Sequence, residues 1–253
     1  MNAPRSTSKR KRTRVDAALV ARKLAETPQR ARALVMAGKV LVDNQRVTKS
    51  GEMVATDARI EITDADFKYA SRAGLKLEGA LADFGVDARG LVCLDVGASN
   101  GGFTDCLLQG GAQRVYAVDV NTAQLDWKLQ RDARVIAIRN NARFLRPADI
   151  AEKAELVTMD VSFISVTKLI GVTVAMAKRG SVFLILVKPQ FELPKAMVGK
   201  GGIVRDAALH ERAIASVRTA AGEAGLEVLD VRPSRVTGKE GNQEYFLHAR
   251  LPE

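Results

Sequence analysis

Apolar and polar positions divide this chain into a short front block and a longer, regularly alternating one. Over residues 14–62, Val15, Ala18, Leu19, Leu24 and Ala25 suit a short amphipathic helix. Thr27 is an N-cap candidate, and Pro28 is pre-set for a first helical turn. Ala31, Leu34, Val35 and Met36 continue that second helix, which stops at Gly38. Val40 and Val42 then alternate with polar positions, and Asp43-Asn44-Gln45-Arg46 reads as a turn. Val47, Val54, Ile60 and Ile62 follow, so two helices feeding a small sheet are expected.

Beyond a connecting stretch, Leu75, Leu77, Leu81 and Phe84 predict an amphipathic helix over 73–85. Strands are expected at Leu91–Val96, Arg114–Val120, Arg134–Ile138, Glu155–Asp160, Ser181–Lys188, Leu226–Pro233 and Glu244–Leu251. Helices fit near 102–110, 124–130, 147–153, 165–178 and 206–224. Such alternation with short connections argues an α/β domain with a largely parallel sheet covered on both faces. The expected division is a disordered basic tail at 1–13, a small domain at 14–66, a linker at 67–75 and a large domain at 76–253.

Charge sharpens this division. The chain carries 39 Lys+Arg against 29 Asp+Glu, a net +10, and residues 1–66 hold 14 basic and 8 acidic side chains. A quarter of the chain thus holds most of the excess, as expected of a module that meets a polyanion. Arg14, Arg22, Lys23, Arg30, Arg32 and Lys39 are its candidate phosphate contacts, with Arg72 just beyond. The aromatic content of 5% argues against broad base stacking as the main source of affinity. Two cysteines, Cys93 and Cys106, and two histidines, His210 and His248, make neither a disulfide framework nor a metal site. No apolar run reaches the roughly 20 residues of a membrane helix, and no signal peptide follows the basic start. A cytoplasmic protein is expected.

The first large-domain strand runs into Asp95-Val-Gly97-Ala-Ser99-Asn-Gly101-Gly102-Phe-Thr-Asp105. A glycine-rich strand-to-helix turn lets a ligand approach the backbone closely. Asp119 ends the next strand, 22 residues after Gly97, where a carboxylate can accept from ribose hydroxyls. The pair implies an adenosine-bearing cofactor. The spacing is neither the dinucleotide fingerprint nor a P-loop. Asp105 reads as a surface residue. Asp160 and Lys188 close two further strands, at the edge where open α/β sheets bind ligands. A lysine ending the apolar run Val182–Val187 is partly desolvated, which favours its neutral form.

The whole pattern resembles the TlyA-type RNA methyltransferases, also called haemolysin A, which join a small RNA-binding domain to an FtsJ-like methyltransferase domain. The resemblance runs from Arg14 to Leu251. It rests on Arg14–Leu19, Gly38–Val42, Ser71–Leu77, Asp95–Asp105, Asp160–Ser165, Leu186–Glu192, Lys200–Val204 and Gly238–Tyr245. It implies a Rossmann-like class I fold with a mostly parallel seven-stranded sheet and a small N-terminal α+β RNA-binding domain. It implies S-adenosylmethionine at Gly97, Ser99, Gly101, Gly102, Phe103, Asp119, Asn141 and Asp160, and a catalytic tetrad of Lys76, Asp160, Lys188 and Glu244. Asn100 and Ala73 depart from the residues expected at their positions, and neither belongs to the tetrad.

The implied reaction is methyl transfer to a ribose 2′-hydroxyl of ribosomal RNA. Lys188 is the candidate general base, with Lys76 and Glu244 orienting the ribose and Asp160 favouring a charged Lys188. A carbon-5 pyrimidine enzyme needs a cysteine nucleophile, which core-placed Cys93 does not suit. An exocyclic-amine enzyme is expected to show a Pro-Pro-aromatic turn where this chain has Asp160-Val-Ser-Phe163. The competing classes are a non-catalytic ribosome-assembly factor, a haemolysin-like membrane-active protein and, more distantly, a nicotinamide dehydrogenase. A monomer acting on ribosomal RNA or subunits, without metal, is the expected state.

Overall fold

The structure is a computed structural model that describes residues 11–36, 38–43, 45–62, 68–238 and 241–253. The tail residues Lys9 and Arg10, the turn residue Asn44, residue 67 of the expected linker and residues 239 and 240 lie outside them. The chain forms two compact units, divided between Phe67 and Lys68.

The first unit contains β1 (Arg12–Arg14), α1 (Val15–Ala21), α2 (Pro28–Met36), β2 (Val40–Val42), β3 (Gln45–Val47), β4 (Met53–Ala55) and β5 (Ile60–Ile62). Thr27 caps α2 by accepting a hydrogen bond from the Arg30 amide at 3.1 Å. Two small antiparallel sheets result, β1 with β4 and β3-β2-β5. Their apolar positions close one core around Val15, Leu19, Leu34, Val35, Val40 and Ile60. The expected tail ending at residue 13 is corrected here, because Arg12 and Thr13 pair with Ala55 and Val54. Composition concealed this strand, since its side chains are mostly exposed and lack apolar alternation.

The second unit opens with α3 (Ala73–Phe84), ended by Gly85 at φ 65°. There follow β6 (Val92–Val96), α4 (Gly102–Gln109), β7 (Arg114–Asp119), α5 (Trp127–Arg131) and β8 (Val135–Arg139). Next come β9 (Ala154–Met159), α6 (Thr167–Ala175), β10 (Ala177–Val187), α7 (Pro189–Glu192), α8 (Ala207–Glu223), β11 (Glu227–Pro233) and β12 (Tyr245–Arg250). All seven expected strands are present, in the order β11-β12-β10-β9-β6-β7-β8. Only β12 runs against its neighbours.

Three expectations change. Tyr69, placed in the linker, is buried in the second unit's core, and the Ala70 amide donates to Asp105 at 2.7 Å. Asp105 is therefore an anchor for this entry segment rather than a free surface acid. The helix expected over 147–153 is a single 3₁₀ turn at Pro147–Asp149, closed at its start by the Asp149 carboxylate on the Arg146 amide and left at Ile150 by extended backbone. The helix expected over 165–178 ends at Ala175, and β10 starts at Ala177, with a register irregularity before Val182.

Alternation along the strands separates two cores. Val92, Leu94 and Val96 of β6 and Val157 and Met159 of β9 join the core that also holds α6 and α8 residues. Cys93 and Leu156 join the core that holds Leu77 of α3 and Leu107 of α4. The period of two then decides which face each strand-end side chain occupies.

Candidate active site

Chain order reverses between the adjacent strands β6 and β9, so a crevice opens beyond their carboxyl ends. Gly97 follows one strand and Asp160 the other. Asp160 donates its amide to the Val96 carbonyl at 2.9 Å. Gly97 has φ 89°, and a Cβ there would collide with the Asp160 carbonyl oxygen. Glycine is therefore required twice over, by backbone conformation and by the approach of β9. Its amide and that of Ala98 both donate to the Val118 carbonyl, at 2.9 and 3.0 Å.

A cleft of about 610 Å³ lies beside this turn, walled by Gly97, Ser99, Asp119, Asn141, Arg143 and Asp160 among others. Its size suits a nucleoside-bearing ligand. Asp119 accepts from the Ser99 and Asn121 amides, each at 2.9 Å, which fixes its carboxylate at the cleft wall. Val120, 62% exposed, offers the cleft an apolar surface next to that acid. Asn141 lines the same cleft and caps a short turn by accepting from the Arg143 amide at 3.1 Å.

A smaller cleft of about 160 Å³ lies on the other side of the turn, lined by Ser71, Gly97, Gly102, Asp160, Ser162 and Lys188 among others. Gly97, Ser99, Asp160 and Ser162 belong to both clefts. Phe103 lines the smaller one, although its ring is 2% exposed and stacks on Phe246 at 6.0 Å. Gly101 lines neither of these two clefts. A side chain there would strike Leu129 of α5, so this glycine serves packing. Gly102 is small because the start of α3 crosses it at Ser71 and Ala73.

The four expected tetrad residues form two ion pairs. Lys188 Nζ lies 2.5 Å from Asp160 Oδ1 and donates to Ser162 Oγ at 3.0 Å. The Asp160 contact lacks hydrogen-bond alignment, so the buried Oδ1 accepts no hydrogen bond. Lys76 Nζ donates to Glu244 Oε2 at 2.5 Å, and both side chains are buried. Sheet geometry explains how residues 168 positions apart meet. Asp160 continues the face of Leu156, Lys188 that of Leu184 and Leu186, and Glu244 that of Phe246. This is the face on which α3 packs, and α3 carries Lys76 beside buried Leu77. The register Val187↔Tyr245 sets Glu244 opposite Lys188, roughly the 4.5–5.5 Å spacing of cross-strand neighbours. Lys76 and Glu244 are not in the walls of the two clefts, so they back the site rather than line it.

Two features went unread in the sequence. Phe163 is 93% exposed with φ 66°, a strained backbone for an aromatic residue, and its ring meets Phe191 at 5.4 Å. It lines the larger cleft, directly after the Ser162 that holds Lys188. Its place at the end of the Asp160-Val-Ser run was the only available signal. Asp95 is wholly buried under the glycine turn, accepting from Thr104 Oγ1 at 2.7 Å and Thr158 Oγ1 at 3.1 Å. Burial pushes its carboxyl up to about 7, against the pull of those two hydroxyls.

Both cysteines are buried, which pushes the Cys93 and Cys106 thiols up to about 12 and disfavours the thiolate that a nucleophile needs. No cluster of metal-binding side chains occurs among the described residues. No helix among them is long and apolar enough to cross a membrane.

In the first unit the basic candidates fall into two groups. Arg14 is exposed and bidentate on buried Asp16, at 3.0 and 2.7 Å, and Arg32 Nε lies 3.5 Å from the same carboxylate. Arginine holds the Asp16 carboxyl below its usual range. Arg22 instead ties down the β4–β5 connection by donating to the Ala58 and Thr56 carbonyls, at 2.5 and 2.6 Å. Lys23 and Arg30 are exposed, Lys39 is half-buried, and Arg72 is exposed at the N-cap of α3.

A doubly wound sheet with a glycine turn, an acid at the next strand end and a cleft at the switch point defines a methyltransferase-type domain, here preceded by a small α+β module. Residues 69–251 match the FtsJ-like methyltransferase family and residues 13–60 the S4 domain. The chain belongs to the FtsJ-like methyltransferase family, in its TlyA-type, S4-containing branch. It is 43% identical over 242 residues to the 16S/23S rRNA (cytidine-2′-O)-methyltransferase TlyA of Mycobacterium tuberculosis, covering 95% of this chain and 90% of that protein. It is 37% identical over 225 residues to Hemolysin A of Brachyspira hyodysenteriae, covering 88% and 93% respectively. A solved structure described as a hemolysin from Streptococcus thermophilus superposes with a TM-score of 0.74 at 37% identity, covering 96% of this chain and 90% of that one.

Proposed function

We propose that the protein transfers a methyl group from S-adenosylmethionine to a ribose 2′-hydroxyl of ribosomal RNA. The observation that carries this reading is the Lys188–Asp160 pair in the wall of the small cleft, across the glycine turn from the larger one. One cleft would hold the cofactor and the other the acceptor, with Gly97 and Asp160 between them. The residues fit the cofactor. Gly97 leaves room for backbone approach, the Asp119 carboxylate suits a ribose diol, and Val120 and Asn141 suit the adenine. Bound there, S-adenosylmethionine supplies an electrophilic methyl on a sulfonium.

A hydroxyl is a weak nucleophile and loses its proton as it attacks. Lys188 is placed to take that proton, and Asp160, 2.5 Å away, is the counter-ion of the ammonium formed. Ser162 holds the amine in place through its hydroxyl. The buried Lys76–Glu244 pair supports the site from behind and fixes the start of β12 against α3. Phe163 presents an exposed ring at the cleft mouth, a platform on which a base can stack. Alignment of hydroxyl and methyl supplies up to roughly 7–11 kcal/mol of the barrier reduction.

The S4 module supports RNA as the partner, with Arg14, Arg32, Lys23 and Arg30 exposed for phosphate. A ribosomal substrate, bare or within a subunit, assigns the protein to the cytoplasm, and a monomer suffices because one chain contains both clefts. Tritiated-methyl transfer from S-adenosylmethionine to ribosomal subunits tests the reading. Wild-type protein is expected to label RNA, and Lys188→Ala to abolish labelling while binding the cofactor nearly as well. Wild-type turnover in that variant would remove Lys188 from the chemistry. A non-catalytic assembly factor would bind subunits without labelling them.

A further inference from the structure

We propose that Asp95 is a positioning residue that couples the charge of the bound cofactor to the strand carrying Asp160. This rests on the reading that the glycine turn holds S-adenosylmethionine. Asp95 precedes Gly97 by two residues on β6 and faces the α3–α4 side of the sheet, like Cys93. Each carboxylate oxygen takes one hydroxyl. Thr104 belongs to the first turn of α4, directly after the glycine turn, and Thr158 lies on β9, two residues before Asp160. One buried carboxyl therefore joins the two elements whose relative position decides where cofactor and tetrad stand. The neighbouring stitches, Asp160 amide to Val96 carbonyl and Gly97 against the Asp160 carbonyl, act at the same point.

No cationic side chain pairs with Asp95 among the described residues, an unusual condition for a buried carboxyl. The groups facing it are the hydroxyls of Thr104 on α4 and Thr158 on β9, with neutral Ala117 beside it on β7. The titratable group acting on it is Asp160, whose charge opposes its ionisation, while a backbone hydrogen bond from Thr104 favours it; the buried thiol of Cys93, on its own strand, feels the Asp95 charge in turn. With no cation beside it among the described residues and burial pushing its carboxyl up to about 7, Asp95 is poised to exchange a proton near neutral pH when a charge arrives. S-adenosylmethionine carries a sulfonium and an ammonium against one carboxylate, and so brings a net single positive charge to the turn. Its arrival favours the carboxylate, so the Asp95 O–H bond breaks and the proton leaves to solvent. The ionised form then accepts fully from both threonines and draws α4 and β9 together. By linkage, cofactor affinity rises with pH across this ionisation, by about tenfold for each unit by which the bound cofactor lowers that pKa.

Calorimetry of S-adenosylmethionine binding to the full chain between pH 6 and pH 8, in buffers of different ionisation enthalpy, reads this proton directly. Wild-type protein is expected to release a fraction of a proton per cofactor near pH 6.5, and less with S-adenosylhomocysteine, which lacks the sulfonium charge. Asp95→Asn retains a group able to engage both threonines, and in that variant the release disappears. Thr158→Val removes one stabilising hydroxyl, so the release persists with its midpoint moved to higher pH. Equal proton release in wild type and Asp95→Asn, or a Thr158→Val midpoint that does not move, overturns the inference. Wild-type binding with no proton release overturns this inference alone, whereas no cofactor binding at any pH overturns the cofactor reading as well.

Discussion

Single side chains do different work in the two halves of the tetrad. Lys188 has solvent-facing neighbours in a cleft, a hydroxyl partner and a counter-ion, which suits proton transfer. Lys188→Arg is expected to be as inactive as Lys188→Ala, because a guanidinium stays protonated; rates measured under saturating cofactor check this. Lys76 is sealed against Glu244, and removing one member leaves a buried charge alone. Lys76→Ala is therefore expected to lose about 3–5 kcal/mol of stability, read as the denaturation midpoint, while the double variant Lys76→Met, Glu244→Gln, which leaves no lone charge, loses less. Asp95 makes a pH-dependent contribution of defined sign. Its folded carboxyl, at about 7, holds a proton more tightly than the unfolded chain does. The stability this confers is complete below about pH 4 and is lost as pH rises through 7. The melting temperature of wild type relative to Asp95→Asn is expected to fall between pH 5 and pH 8, and a constant difference would contradict the assignment.

Elements explain what was legible beforehand. Strand periodicity was readable because β6, β9 and β10 are buried on both faces and so read as continuous apolar runs. Asp160 and Lys188 were readable as the residues that end such runs. Lys76 and Glu244 were not, since a lysine within a helix and a glutamate before a strand look like surface charges until α3 is laid on the sheet. Family resemblance supplied them. Strand β1 was hidden in a basic segment because it pairs with β4 through its backbone and an arginine rather than through apolar side chains. Asp95 stood in the quoted glycine motif without a role, because Thr104 and Thr158 reach it from separate elements. The glycines carry an element-scale prediction. Gly97→Ala sets a methyl against the Asp160 carbonyl and is expected to abolish cofactor binding, whereas Gly101→Ala meets Leu129 and mainly lowers the melting temperature.

Two units divide the labour. The first unit has its own apolar cluster and an exposed set of arginines, and the second contains both clefts and both ion pairs. Residues 68–253 alone are expected to bind S-adenosylmethionine nearly as well as the full chain but ribosomal RNA far more weakly. The full chain's RNA affinity should also fall steeply with salt, as phosphate contacts require. Unchanged RNA affinity in the truncated protein would take the recognition role away from the S4 module.

Ribose oxygen as the acceptor is tested by nucleoside mass spectrometry of ribosomal RNA treated with purified protein and isotopically labelled S-adenosylmethionine. The added methyl is expected to stay with the sugar fragment when the glycosidic bond is broken, and Lys188→Ala is expected to add none. A label that leaves with the base would contradict it.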